Sequence, residues 1–188
     1  MSITNRHRLF GLLLAAVLFG LDQWIKWQVQ WTLMLRERGV IDLLPFFDLR
    51  WTENYGISLG LLTAESMEMR WLLVALTSGI AGVVLIWMCR EKRLGDILPL
   101  ALVLGGALGN IRDRAKVGYV IDYADLHFGS FRPFLIFNLA DAAITIGVLI
   151  ILARSFLSRE KQEPAATDAA TADGSNAASD TAQPATES

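Results

Sequence analysis

The 188-residue chain is 53% hydrophobic, with six Trp and a formal charge of only −2. That apolar excess, gathered into long runs, excludes an ordinary soluble domain, and the lack of a basic stripe excludes nucleic acid as a partner. The single Cys89 excludes an internal disulfide and reads as a small apolar filler at a helix end.

In chain order, the first apolar run is Leu9–Leu21, with an amphipathic continuation to Met34. Its head, "RHRLFGLLLAAVLFGL", has the basic start and apolar core of a secretory signal. No small-x-small cleavage site follows, and the run passes into "DQWIKWQVQW", whose Trp residues suit a membrane interface; an uncleaved helix over about 9–28 is expected. An outer loop of about 29–70 comes next. Alternation in its "GVIDLLPFFDLRWTENYG" predicts short strands in a small sheet lying on the membrane, with Phe46, Phe47 and Trp51 as interface anchors. The runs Trp71–Met88, Ile97–Leu108 and Phe134–Ala153 predict helices over about 71–89, 96–112 and 134–154. A span needs roughly 20 residues, so the shorter runs qualify only with polar extensions. A second outer loop, about 113–133, separates the last two helices. The Ala/Thr/Ser-rich stretch 158–188 has little to bury and is expected to be a disordered cytoplasmic tail. The expected fold is an all-α membrane protein over 1–157: four transmembrane helices and a small extracytoplasmic β-rich loop.

Four spans put both termini on one side. By count the positive-inside rule is nearly a tie, but Arg6, Arg8, Arg90, Lys92, Arg93 and Arg154 crowd the helix ends of that side, which favours cytoplasmic termini. Measured from this flank, Asp22 lies fourteen positions past Arg8, Asn110 fourteen past Asp96, and Asp141 thirteen before Arg154. At about 1.5 Å per residue each sits roughly 20 Å deep, in one layer below the outer surface. Intramembrane carboxylates cost at least ~2.5 kcal/mol, so such a layer marks a functional path more often than polar glue. Asn110, Asp113 and Arg114 share a helix face, as do Asn138 and Asp141, while Asp22 and Lys26 are spaced to pair. The second helix carries no such residue and reads as scaffold.

With His7 and His127 the sole histidines, neither a Ser–His–Asp set nor a zinc cluster is expected, and no metal or other cofactor is implied. "GGALGN" reads as close helix packing through small residues. Carboxylates remain. A close pair shares a proton, so one member acts as general base towards water while the other polarises the carbonyl under attack. Asp122 and Asp141 are the candidate pair, although depth alone does not choose Asp122 over Asp125.

The blocks "DQWIK" (Asp22–Lys26), "NYG" (Asn54–Gly56), "GNIRDR" (holding Asn110, Asp113 and Arg114), "VIDYADL" (Asp122) and "FNLAD" (Asn138, Asp141) resemble, in order, those of the lipoprotein signal peptidases, or signal peptidase II. The resemblance runs from about residue 5 to 157. It implies a bacterial inner-membrane aspartic endopeptidase with its active site towards the periplasmic face. Its substrates would be diacylglyceryl-modified prolipoproteins, cut just before the lipidated cysteine. By motif, Asp122 and Asp141 are the implied dyad. Asn54, Gly56, Asn110, Arg114 and Asn138 would bind or position, with Asp22, Lys26 and Asp113 in support. Membrane lipids are implied neighbours, and a monomer is expected. Arg112, Tyr123 and the Ser58–Leu59 pair depart from the family's usual residues. The competing readings are a small proton-coupled transporter using submerged carboxylates and a non-enzymatic scaffold.

Overall fold

The computed structural model describes residues 2–56 and 67–160, except the side chains of 158–160. Two compact units divide the chain, Met1–Ile150 and Ile151–Ser188; the described part of the second is the C-terminal end of the last helix. Of the expected tail 158–188, residues 158–160 continue the last helix and those from 161 onward, like Ser58–Leu59, lie outside the described residues.

Helix α1 (Ile3–Trp27) runs on through a π-helical turn (Gln28–Thr32) and is followed by a short α2 (Leu35–Arg38). Strands β1 (Val40–Leu44) and β2 (Phe47–Asn54) form a hairpin. Helices α3 (Met67–Arg90) and α4 (Leu94–Val117), strand β3 (Val120–Leu126) and helix α5 (Leu139–Glu160) complete the order. Four stretches are long and apolar enough to cross a membrane: Ile3–Thr32, Met67–Arg90, Leu94–Val117 and Leu139–Leu157. Their outward faces suit hydrocarbon, as Leu72, Leu76, Ile80 and Val83 of α3, all more than half exposed, illustrate.

α4 is the central post, with Ile97, Leu100, Ala101 and Leu104 all buried. Its glycines let two other helices approach closely. A Cβ on Gly105 would stand 2.7 Å from the Ala15 carbonyl of α1, and one on Gly106 would stand 2.5 Å from the Ala140 carbonyl of α5. Small residues thus allow backbone contact where polar side chains must later meet. α4 ends at Gly118, whose φ of +96° permits its N–H to bond the Arg114 carbonyl at 3.2 Å. Arg70 of α3 closes the same end, donating from Nε to the Arg114 carbonyl at 2.7 Å and from Nη2 to that of Ala115 at 2.5 Å. This scaffolding task is the part the second span plays.

Helix limits differ from the apolar runs for local reasons. α1 starts at Ile3 because Ser2 caps it, accepting the Asn5 N–H at 3.3 Å, so polar residues ahead of the apolar run are helical too. α4 runs to Val117, which makes Asp113 and Arg114 helical rather than loop residues. α5 begins at Leu139 and not at 134. Phe137 is held in extended form by Ala124, with N–H···O distances of 2.8 and 3.1 Å in the two directions. Asn138 then caps the helix.

The two outer loops combine into one antiparallel sheet in the order β1-β2-β3. The sequence alternation located the hairpin; the third strand is new. Register pairs Thr52 with Asp122 and Asn54 with Val120, past an irregularity between Leu49 and Thr52. The sheet has its own core of Val29, Leu35, Tyr123 and Ala124, against which Phe47, Trp51 and Phe137 pack. Phe47 and Trp51 therefore face this core rather than anchoring an interface, while Phe46 stays exposed.

Candidate active site

The site grows from the start of α5. An N-terminal turn leaves backbone N–H groups without helical partners, and here side chains from three elements take them. The Leu139 N–H bonds the Tyr123 hydroxyl of β3 at 3.3 Å, the Ala140 N–H bonds Asp22 Oδ1 of α1 at 3.1 Å, and the Asp141 N–H bonds Asn138 Oδ1 at 2.9 Å. Asp141 reciprocates, its Oδ2 accepting the Asn138 N–H at 3.3 Å. Asn138 and Asp141 thus form a capping box rather than sharing a helix face, which is why their spacing is three. An acidic side chain there also complements the helix dipole. Asp141 is fixed in position by the geometry of its own helix end.

Asp122 reaches the same place from the sheet. Its Oδ1 accepts from Asn138 Nδ2 at 2.6 Å and its Oδ2 from Asn54 Nδ2 at 3.0 Å. Asn110 Nδ2, on α4, donates to Asp141 Oδ1 at 2.8 Å. The three amides leave no choice of orientation, because each oxygen faces a group that can only donate. Asn54 Oδ1 takes the Gly56 N–H at 2.8 Å, Asn138 Oδ1 takes the Asp141 N–H, and Asn110 Oδ1 takes the Lys26 ammonium at 3.3 Å. Every NH2 end is therefore turned towards a carboxylate. Asn138 touches both aspartates and sets their separation.

Beneath this layer lies a buried ionic cluster. Lys26 is 2% exposed and its Nζ stands 2.9 Å from Asp22 and 2.7 Å from Asp113. Gln23, which the sequence did not single out, donates to Asp22 and Asp113, both at 3.1 Å, and to the Gly109 carbonyl at 3.2 Å. Asp113 also accepts the Ile121 N–H at 3.4 Å, tying α4 to the start of β3. Asp22, Asn110 and Asp141, which depth alone had put in one layer, do meet through this network. Asp22 acts on the backbone of Ala140, not on the Asp141 carboxylate.

β3 separates Asp122 from Asp125, since residues three apart on a strand point to opposite faces. Asp125 is fully buried yet paired with Arg50 at 3.1 Å and Arg132 at 3.1 Å. Asp122, 1% exposed, has amide donors in place of cations. Burial, together with the facing Asp141 charge, pushes the Asp122 carboxyl up to about 6, against the pull of Asn54 and Asn138. A raised pKa means that ionisation in place costs stability: the contribution is complete below about 4 and is lost as pH rises through about 6. If the protonated Asp122 carboxyl is the competent form, kcat/KM falls as pH climbs through about 6. A pH series of initial cleavage rates checks this, and a rise over that interval would contradict it.

Arg114 sits half-buried beside Gly56, within electrostatic reach of Asp141, Asp122 and Asp113. Its buried Nε finds no hydrogen-bond acceptor among the described residues. Gly56 has φ +90°, and a Cβ on it would come within 3.0 Å of Leu73 Cδ1 and 3.7 Å of the Arg114 guanidinium. Two clefts open at Asp122 and Asp141. One, of about 580 Å³, has Asp122, Asn54 and Glu53 on a polar wall facing Phe134 and Ile136. The other, of about 320 Å³, is an apolar groove running past Asp141 along Ala142, Thr145 and Ile146. Phe134 and Leu135 line both. Among the described residues no cluster of His, Cys, Asp and Glu has metal-holding geometry.

A family model described as signal peptidase (SPase) II matches residues 14–157. The chain belongs to the signal peptidase II family. The lipoprotein signal peptidase of Rhizorhabdus wittichii is 55% identical over 159 residues, covering 85% of this chain and 92% of that relative. That of Sphingopyxis alaskensis is 56% identical over 160 residues, with the same coverage of 85% and 92%. A solved bacterial membrane enzyme superposes with a TM-score of 0.70 at 25% identity, over 81% of this chain and 91% of its own. A second gives 0.67 at 27%, over 77% and 91%. This signal peptidase II is accordingly a multi-pass membrane protein and an aspartic peptidase, of a family that removes signal peptides from prolipoproteins. Tyr123, one of its departures from the usual family residues, gains a physical reason: the hydroxyl satisfies the Leu139 N–H, which a Phe would leave bare.

Proposed function

We propose that the peptidase hydrolyses the bond just before the lipidated cysteine of diacylglyceryl-modified prolipoproteins, with Asp122 and Asp141 as the catalytic pair. The observation that carries this reading is the bridge of Asn138, whose side-chain NH2 donates to the Asp122 carboxylate and whose backbone N–H donates to that of Asp141, at the mouth of two clefts. The pair holds one proton between two acids. The ionised member takes a proton from water as it attacks the scissile carbon, and the protonated member donates to the carbonyl oxygen. As the resulting gem-diol breaks down, the member that took the water proton passes it to the departing amide nitrogen, and the other recovers a proton from a gem-diol hydroxyl. Arg114, with its unsatisfied Nε, holds a substrate carbonyl. Asn54, Asn110 and Asn138 orient the dyad, while Gly56 keeps room beside the guanidinium. The apolar groove along α5 receives the signal segment, and the wider cleft receives the chain beyond the cut.

In the same reading the termini are cytoplasmic, the domain comprises residues 1–157, the sheet lies on the periplasmic surface of the inner membrane, and the protein acts as a monomer. A lipid-anchored substrate presents its scissile bond at the membrane edge, so the dyad belongs at that depth. The test is cleavage of a diacylglyceryl-modified prolipoprotein by the purified protein in detergent, followed by gel shift. Cleavage should persist in excess chelator, because each dyad oxygen is already occupied by an N–H donor rather than grouped with metal-ligating partners. Loss of cleavage restored by added metal ends the carboxylate reading. Proton flux in sealed vesicles without cleavage favours the transporter instead.

A further inference from the structure

A third cleft, of about 310 Å³, lies between α1 and α4 and shares no lining residue with either cleft at the dyad. Trp24, Trp27 and Trp31 wall it on one side, and Arg112 and Lys116 wall it on the other. The indoles are 57%, 54% and 62% exposed, although each is large and apolar. Arg112 and Lys116 are four apart on α4, share a face and are both exposed. Lys116 has no carboxylate partner among the described residues, and the Arg112 guanidinium bonds the neutral Gln23 Oε1. The carboxylate lining the cleft, Asp113, is already held by Lys26 at 2.7 Å, as Asp22 is at 2.9 Å. Two exposed cations thus stand over a floor whose carboxylates are already engaged by Lys26 and Gln23.

Depth says what kind of anion. Trp27 lies nineteen positions past Arg8 and Lys116 twenty past Asp96, roughly 30 Å along each helix from the opposite flank. That is the full thickness of the hydrocarbon core, where phosphates begin and indoles gather. Arg112, one turn deeper, reaches the same level along its stem.

We propose that this cleft seats an anionic membrane phospholipid, its phosphate between Arg112 and Lys116 and its glycerol and upper acyl chains against Trp24, Trp27 and Trp31. The guanidinium supplies a fork that matches phosphate oxygens, and the ammonium adds a point charge. The indoles give a free inorganic phosphate nothing to bind, so the lipid and not the bare ion is the occupant.

The experiment counts lipids retained by the full-length protein when it is released from nanodiscs into a mass spectrometer. The nanodiscs hold phosphatidylcholine doped with phosphatidylglycerol. Wild type should keep one phosphatidylglycerol in preference to phosphatidylcholine. Lys116→Gln, at an exposed position whose side chain makes no hydrogen bond or ion pair among the described residues, should lower that retention about fivefold; the Arg112→Gln/Lys116→Gln pair should lower it about thirtyfold, following about 1 kcal/mol per cation near an anionic surface. Equal retention by wild type and the Lys116→Gln variant overturns the proposal. So does displacement of the lipid by inorganic phosphate, which would make this a site for a small anion. The readout needs no cleavage, so it stands or falls apart from the catalytic reading.

Discussion

Asp122→Asn and Asp141→Asn are each expected to lower cleavage of a diacylglyceryl-modified prolipoprotein by about 10³-fold or more while leaving the protein folded. An amide cannot take a proton from water or share one with its neighbour, so both halves of the acid–base cycle fail. The fold should survive because Asn matches Asp in shape. At position 122 the change also removes a carboxyl whose ionisation burial resists, having pushed it up to about 6. What it loses is acceptor capacity, since one of Asn54 and Asn138 meets an NH2 where an oxygen stood. At position 141 the capping bond from Asp141 Oδ2 to the Asn138 N–H can be kept by the amide oxygen, so the helix end holds. The control is Asp125→Asn. That carboxylate is bound to Arg50 and Arg132 on the other face of β3, so its loss should lower the melting temperature without removing turnover. Gel-shift cleavage and thermal melts on all three variants decide the matter. Folded Asp122 or Asp141 variants that still cleave would leave the family intact and end this mechanism.

Lys26→Met is expected to destabilise the protein by about 3–5 kcal/mol, since it strands two buried carboxylates. Asp22 and Asp113 are both buried and lean on the same ammonium at 2.9 and 2.7 Å. Removing the cation leaves like charges facing each other in a low-dielectric interior. The damage should extend to the dyad. Asn110 Oδ1 loses the donor that fixes its amide, so Nδ2 is no longer bound to face Asp141. Activity should therefore fall in whatever fraction stays folded, seen as a lower kcat with KM nearly unchanged. Adding Asp113→Asn to Lys26→Met should restore part of the stability by removing one stranded charge. A denaturant titration of the two single variants and the double measures this coupling. Additive losses would show that the cluster is not the cooperative unit described here.

The spans were legible because the bilayer demands about 20 apolar residues and punishes charge, so runs and submerged aspartates both show in one dimension. The i, i+3 and i, i+4 spacings that linked Asn110 with Asp113 and Asp22 with Lys26 were legible for the same reason: a helix turns the chain on itself predictably. The hairpin showed through its alternation. Motif also singled out residues that the fold gathers around Asp122 and Asp141, although what each one touches was not legible.

What the linear pattern could not carry is contact between distant elements. Nothing in "VIDYADL" says that it pairs with β2, because partner strands lie about 70 residues apart and register is set by the core beneath them, here Val29, Leu35, Tyr123 and Ala124. That pairing brings Asn54 to Asp122 and sends Asp125 to the other face. Gln23 escaped notice because a glutamine near a helix end is ordinary until α4 comes within hydrogen-bond reach. The spacing of "FNLAD" suggested a shared helix face, but tertiary structure made Asn138 a cap, since Phe137 is drawn into extended pairing with Ala124 and the helix cannot start before it. By itself the sequence determined the four spans and the residue types available for acid–base work. Tertiary structure alone decided which carboxylates face each other, because only packing fixes which donors an aspartate must satisfy.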